Sequence, residues 1–320
     1  MGCEALIKAI DAYIAKADDD LADELDAEGR ALPDDSVKMA SDMEDGIAAA
    51  LVSQTEYFIR EIKKRSSVKE LLDVFDEIKA KDAYCDEIAE VAFEQFTKYI
   101  PKMVVSYVDK VDSGIKITAI SKRTTAWIES WSKDLADIMK LNSHNEIEAI
   151  LKKGLENGDG VVDVTKAILD SGIRDEYYKA HRVAVTEMLR AHNVSKNEAR
   201  MQCPCITKKK WRHTGGYKNQ PRENHVAIDG QTVDKDKPFE LVGADGETYN
   251  PMFPVDTILP ASEAINCHCI AEDVVDESIL GLSVEERQRL RDEALAEMDE
   301  EWENELDAQY EAAQAAESEE

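Results

Sequence analysis

Residues Lys208–Ile270 open with KKKWRHTGGYKNQPRENHVAIDGQTV and close on INCHCI. The stretch holds two Asp-Gly turns (Asp229-Gly230, Asp245-Gly246), several prolines and three of the six histidines. It ends on Cys267-X-Cys269, and a second pair, Cys203-Pro-Cys205, stands just upstream. Apolar runs here are short and bounded by turn residues: His225–Ile228, Gln231–Val233, Phe239–Val242, Glu247–Tyr249 and Ile265–Ile270. That pattern predicts small strands or hairpins joined by long loops. A compact α+β module packed on the preceding helix is expected.

Outward from this stretch the hydrophobic period becomes helical. Asp175–Met201 predicts a helix, with Tyr177, Ala180, Ala184, Met188 and Ala191 on one face. A shorter helix, Asp163–Leu169, is expected to end at Ser171-Gly172, and Glu146–Leu155 to stop at Gly158-Asp159-Gly160. Further upstream, Thr124–Met139 and Asp86–Tyr99 read as helices, the latter ended by Pro101. Ser67-Val68-Lys69-Glu70 has capping-box spacing before Leu71, Leu72, Phe75 and Ile78. Apolar stripes at Ile47, Leu51, Phe58, Ile62 and at Leu6, Ile10, Tyr13, Ile14 complete a helical first half. Downstream, Ser283 begins an acidic helix whose Leu290, Ala294, Met298, Trp302, Leu306 and Tyr310 form a narrow stripe. Its fifteen acids against three arginines predict a solubilising tail, removable without loss of fold and disordered beyond Tyr310, with a docking helix as the alternative. The fold class is mainly α with a small α+β domain. The expected division is a helical region 1–123, a domain 124–275 and an acidic tail 276–320.

At 320 residues the chain can bury a core and divide into two domains. A formal net charge of -29 argues against nucleic acid as the main partner of the whole surface. No run of about 18 apolar residues suggests a membrane span. The N-terminus lacks signal-peptide features, so the six cysteines read as reduced thiols or metal ligands.

Three chemistries compete for the module. Thiolates and imidazoles at converging positions can fill a tetrahedral zinc site. Cys267, Cys269 and His225 are the candidate ligands, with Cys205, Cys203, His213 or Asp229 as the fourth. The opposing reading makes these cysteines small buried hydrophobes and His225 a hydrogen-bonded core residue. A nucleophile–base–orienter set drawn from Cys267 or Cys269, His225 and Asp229 is the catalytic alternative. Finally Lys208, Lys209, Lys210, Arg212, Lys218 and Arg222, interleaved with Trp211 and Tyr217, form a basic patch able to contact DNA phosphates. The opposing reading pairs that patch with acids of the same chain or a neighbour.

Trp211, Arg222-X-X-His225, Ile228-Asp229-Gly230-Gln231, Phe239, Pro254 and Asn266-Cys267-X-Cys269 stand in the order and rough spacing of a known signature. They resemble the phage Mu protein F-like minor head proteins, which act in head morphogenesis of tailed phages and prophages. The run Thr186–Asn193 resembles the helix preceding that signature, so the likeness covers roughly 125–272. Two departures are His268, where the family usually has Arg, and Tyr217–Pro221, where an acidic residue is more usual. In some relatives a cysteine pair replaces Arg222 and His225, a pattern that implies a metal site. Some family chains carry a C-terminal toxin or enzyme domain, whereas this sequence ends in the acidic helix. The resemblance therefore implies a non-enzymatic minor head protein that binds the portal, and also scaffold or major capsid protein. Its roles would be procapsid assembly, DNA packaging or ejection, in the virion and in host cytoplasm during assembly. The alternative is a metal-dependent hydrolase or nuclease using His225, Asp229, Cys267 and Cys269.

Overall fold

The computed structural model describes residues 20–84, 86–214 and 221–319, apart from the side chains of 172–178 and 317–319. The expected stripe Leu6, Ile10, Tyr13, Ile14 and the residues Tyr177, Tyr217 and Lys218 fall outside that description. The order is α1 (20–27), α2 (Pro33–Ile62), α3 (Val68–Asp73), α4 (Phe75–Ala80), α5 (Asp86–Val111), α6 (Lys122–Asn157) and α7 (Val161–Gln202). Then come β1 (Ile206–Arg212), α8 (Glu223–Ala227), β2 (Thr232–Asp234), β3 (Leu241–Val242) and β4 (Thr248–Tyr249). α9 (Ala261–Ala264), β5 (Ile270–Val275), α10 (Glu277–Leu280) and α11 (Val284–Glu319) close the chain. The protein is mainly α with a small α+β module, as its patterning predicts.

The chain forms two compact units. One comprises residues up to Val37, Lys98–Trp127 and Met188–Glu320, and the other Lys38–Thr97 and Ile128–Glu187. The second is cored by Phe58, Ile62, Leu71, Phe75, Leu151 and Val164 among others. In it Ser67 caps α3 by accepting the Glu70 N–H, while Glu70 reaches Ser66 rather than closing the reciprocal box.

Three helix boundaries differ from expectation. Pro101 sits inside α5. The ring removes one backbone bond, but Tyr99, Ile100, Met103, Val104, Tyr107 and Val108 are all buried around it. Each contributes about 1.5–3 kcal/mol, enough to offset the roughly 3 kcal/mol cost of an interior proline. The segments 124–139 and 146–155 are one helix, α6. The polar run between them is held by His144, which bonds Asp82 at 2.7 Å and meets the Phe58 ring edge-on. α7 likewise runs through Ser171-Gly172. An interior glycine costs about 1 kcal/mol, and buried Val164, Ile168, Ala180 and Ala184 on either side outweigh that.

In the first unit a buried polar chain joins α2, α5 and α7. Ser36 Oγ donates to the Leu32 carbonyl at 2.8 Å, and His192 Nε2 lies 2.9 Å from Ser36 Oγ. Tyr107 Oη accepts from the Ala31 N–H and lies 2.9 Å from His192 Nδ1. With the Ser36 proton committed to Leu32, the ring must donate from Nε2 and accept at Nδ1, so His192 is neutral. Burial, then the nearby Arg30, Lys110 and Lys196 charges, hold its pKa well below 6.5. A base depressed in the folded state stabilises the fold above the unfolded pKa and loses that contribution as pH falls below it. Between pH 7.5 and 5.5 the wild type is therefore expected to lose about 1 kcal/mol relative to His192→Gln. Paired urea titrations at the two pH values measure the difference, and an unchanged gap would refute the neutral buried ring.

β1 is the central strand of a three-stranded antiparallel sheet ordered β2-β1-β5, and β3 and β4 form a two-stranded ribbon. The turn glycines Gly230 and Gly246 both take positive φ. The module packs on the C-terminal part of α7, where Arg200 bonds Asp273 at 2.7 Å and the Ala271 carbonyl at 3.0 Å. Arg190 donates to the Val255 carbonyl from the same helix. Sequence patterning missed β1 because its lysines read as a charged patch.

α11 corrects the expected tail. Arg287 and Arg291, one turn apart, are buried, and Met298 is buried two turns on. Arg287 forks onto Asp112, while Arg291 bonds Gln202, Thr118 and the Ala119 carbonyl. The docking face thus joins Met298 of the expected stripe to two arginines that an apolar-stripe reading cannot see. Beyond Tyr310 the helix continues to Glu319, as a run of strong helix formers allows.

Candidate functional site

The signature residues converge beside β1. Arg222 caps the start of α8 and reaches the Ser262 carbonyl at 2.7 Å and the Ile265 carbonyl at 2.6 Å. His225, one turn along α8, places Nε2 2.8 Å from Glu263 Oε2. The Arg222-X-X-His225 spacing therefore docks α8 onto α9 through two side chains on one face. This corrects the strand expected at His225–Ile228. The strand expected at Ile265–Ile270 begins instead at Ile270, because α9 and a turn occupy the residues before it.

The other ring nitrogen faces two sulfurs. His225 Nδ1 lies 3.5 Å from Cys267 Sγ and 3.6 Å from Cys269 Sγ. His213 Nδ1 approaches Cys269 Sγ from the end of β1, also at 3.6 Å. His225, Cys267 and Cys269 are each at most 3 % exposed. Trp211 and Phe239 wall the cluster, with the Trp211 ring edge-on to His225 at 5.6 Å and to Phe239 at 5.3 Å.

Glu263 is the partner that sequence reasoning missed. It is buried, and it also accepts from the Asn224 amide at 3.0 Å and the Ala244 N–H at 2.8 Å. Burial pushes its carboxyl up, but these donors and His225 outweigh burial and hold it below the usual range. Burial likewise pushes His225 down, yet Cys267 and Glu263 raise it. Shared hydrogen bonding with Cys269 and the facing His225 hold Cys267 well below the ordinary thiol range. Cys267 and burial push Cys269 up, opposed by the Trp211 indole. Of the two sulfurs, Cys267 is the more acidic, and both lie beside an imidazole whose far nitrogen is anchored. Glu263 stands only four residues before Cys267, but its pairing with His225 is supplied by the fold.

Of the sequence-derived ligands, His225, Cys267 and Cys269 come together, with one donor atom from each within 4.8 Å of the others. Cys205 does not join them. It lies 3.3 Å from Cys203, and its carbonyl accepts the Asp276 N–H at the far end of the β1–β5 pair. Six residues of strand separate that end from Cys269, about 20 Å. Asp229 accepts the His213 N–H at 2.9 Å and makes no bond to His225, so it is not the orienting acid. Gly230 donates to the Trp211 carbonyl, and Phe239 donates to the Pro251 carbonyl. Pro254 precedes Val255, whose positive φ of 65° is held by the Arg190 bond.

His268 points away from its cysteine neighbours. It meets Glu28 at 2.9 Å, while its carbonyl accepts from Arg30 and Thr214. Burial raises the Glu28 carboxyl, but His268 and Arg30 outweigh it and hold the group low.

Among the described residues the basic patch pairs with acids of the same chain, as the opposing reading expects, while Lys208, Lys210 and Arg212 keep exposed side chains. Lys210 and Arg212 pair with Glu272 at 3.2 and 3.1 Å, and Lys208 faces Asp234 at 3.7 Å. Lys209 is fully buried, donates to the Met252 carbonyl at 2.8 Å, and has its pKa lowered by burial to about 7. The reason is the register: basic β1 runs between acidic β2 and β5.

Residues 145–272 match the family model described as "Phage Mu protein F like protein". The chain is also similar to "Uncharacterized protein YqbB" of Bacillus subtilis (strain 168). The two are 35% identical over 308 residues, covering 92% of this chain and 99% of that protein. No solved structure matches.

Proposed function

The chain belongs to the phage Mu protein F-like family, a family of phage head-morphogenesis proteins, and we propose that it is a non-enzymatic minor head protein bound to the portal. In this reading it acts in procapsid assembly, DNA packaging or ejection, and occupies the virion after passing through the host cytoplasm. The observation that carries the reading is the family match over 145–272, which contains the whole Cys–His cluster and its supporting helices. Burial of that cluster supports the non-enzymatic part: thiols at most 3 % exposed offer a substrate no approach. No helix among the described residues is long and apolar enough to cross a membrane. Exposed apolar residues on α6, such as Ile138 and Leu141, suit a protein partner within residues 1–200. Scaffold and major capsid protein are further partners in this proposal.

The test is co-expression with the portal encoded alongside it, followed by size exclusion. A stable complex at micromolar concentration and low salt is expected. Separate elution of the two proteins would overturn portal binding.

A further inference from the structure

We propose that His225, Cys267, Cys269 and His213 form a closed, four-ligand structural zinc site that clips the α+β module together. The inference is independent of the portal assignment, because it concerns how this chain holds its own loops. It begins with the edges of a tetrahedron. Zinc bonds of about 2.3 Å to sulfur and 2.0–2.1 Å to nitrogen place ligand sulfur and nitrogen about 3.6 Å apart. The His225 Nδ1 distances to Cys267 and Cys269 are 3.5 and 3.6 Å, and His213 Nδ1 stands 3.6 Å from Cys269 Sγ. Three sulfur–nitrogen edges therefore already have the length that one central ion requires. His225, Cys267 and Cys269 form the mutually close trio, and half-buried His213, which reaches Cys269 but stands outside that trio, is the fourth ligand that the proposal adds.

The surroundings make the same demand. Glu263 holds the Nε2–H of His225, which fixes the tautomer and aims the Nδ1 lone pair at the sulfurs. An outer carboxylate on the far ring nitrogen is how metal-ligating histidines are usually oriented. Glu263 is itself satisfied by Ala244 and Asn224, so the ring cannot swing. Trp211 supplies the second sign. Its Nε1–H is buried in the core it shares with Cys267, Cys269 and Phe239, with no partner within hydrogen-bond distance among the described residues. A metal-bound thiolate is the stronger acceptor that would satisfy this donor. Two thiolates also neutralise a divalent ion, so burying the assembly carries no net charge from the ion and its sulfurs. Sulfur and imidazole in a tetrahedral set select zinc over hard cations.

Need completes the argument. His225 and Cys267 are 42 residues apart, and the elements between them are strands of two and three residues and a four-residue helix. Elements this short do not stand alone. A cross-link at the base of such a loop limits the chain entropy that its closure costs.

The test uses the full chain purified without a metal-affinity step. Elemental analysis should find about one zinc per chain, and cobalt replacement should give the intense visible absorption of a tetrahedral thiolate site. Cys267→Ser should lose the metal. Glu263→Gln should keep the fold but weaken zinc by about 10–100-fold in chelator competition. His213→Ala should weaken it too and loosen the cobalt spectrum toward a water-ligated form. Should Cys267→Ser fail to fold, the wild-type cobalt spectrum and Glu263→Gln decide. Zinc far below stoichiometry after reconstitution, an octahedral cobalt spectrum, or unchanged affinity in Glu263→Gln would each overturn the site.

Discussion

Truncation after Ser283 is expected to destabilise the unit that contains α11 severely, while truncation after Tyr310 leaves it nearly unchanged. The difference lies in two arginines. Arg287 places two nitrogens on the Asp112 carboxylate, at 2.5 and 3.0 Å, and also bonds the Leu280 and Leu282 carbonyls. The Asp112 side chain is 2 % exposed. Gly114 makes room, since a Cβ there would stand 2.8 Å from Arg287 Nη2. Removing one partner of a buried pair leaves the other charge without compensation, which costs about 3–5 kcal/mol. Arg291 adds a second loss, because Gln202 and the Ala119 carbonyl give up a buried donor with it. Residues 311–316 are exposed, and deleting exposed helix of this kind changes stability by no more than about 0.5 kcal/mol. Arg287→Ala should reproduce most of the larger effect. Burial raises the Asp112 carboxyl, but Arg287 and the Gly114 N–H outweigh it and leave the pKa lowered from 3.8. The pair therefore contributes fully above that value and is lost as pH falls through the lowered one. Denaturant unfolding of the three variants measures this. A Ser283 truncation within 1 kcal/mol of wild type would mean that α11 does not dock.

The same helix shows what the sequence could and could not say. Its start was legible, because Ser283 has capping spacing and does accept the Glu286 N–H. Its role was not, because the contacts come from charged side chains whose partners, Asp112 and Gln202, lie far away in sequence. Helix identity was legible from the apolar period in the long helices α2, α5, α6, α7 and α11 but not in the short α8, and helix continuity was not. Pro101, Ser171-Gly172 and the polar run before Glu146 all carry local stop signals that tertiary packing overrides. In the α+β module the turns were legible, since Asp229-Gly230 and Asp245-Gly246 are specific chemical punctuation. β1 was hidden because three consecutive lysines, Lys208–Lys210, look like a solvated patch. The meeting of His225 with Cys267 and Cys269 was legible from the signature order. Glu263, the acid that orients the ring, was not, since one glutamate among 68 acids carries no local mark.

Trp211→Ala should then cost about 3–5 kcal/mol, the usual loss for emptying a fully buried aromatic site. The indole is completely buried in a core of nine residues that includes Phe239, Leu241, Val255, Cys267 and Cys269. It also anchors the sheet, with its N–H on the Gln231 carbonyl and its own carbonyl accepting from Gly230. Those backbone bonds survive the substitution, so the loss falls on packing. Edge-on contacts to Phe239 and His225 add about 0.5–1.5 kcal/mol each to area burial, and both vanish together. The surrounding elements cannot collapse to fill the space, because Arg222, His225 and Glu263 fix α8 against α9. A cavity that cannot relax lies at the costly end of the range. The damage should also be local. Phe58, Phe75 and Leu151 belong to the core of the other unit, so most helical circular dichroism should persist. Thiol labelling under native conditions reads the local opening: Cys267 and Cys269 should react slowly in the wild type and much faster in the variant. Trp211→Phe, which keeps a ring but loses volume, should fall between. Labelling rates equal to wild type in Trp211→Ala, with less than about 1 kcal/mol lost, would show that the module is held by its hydrogen bonds rather than by this core.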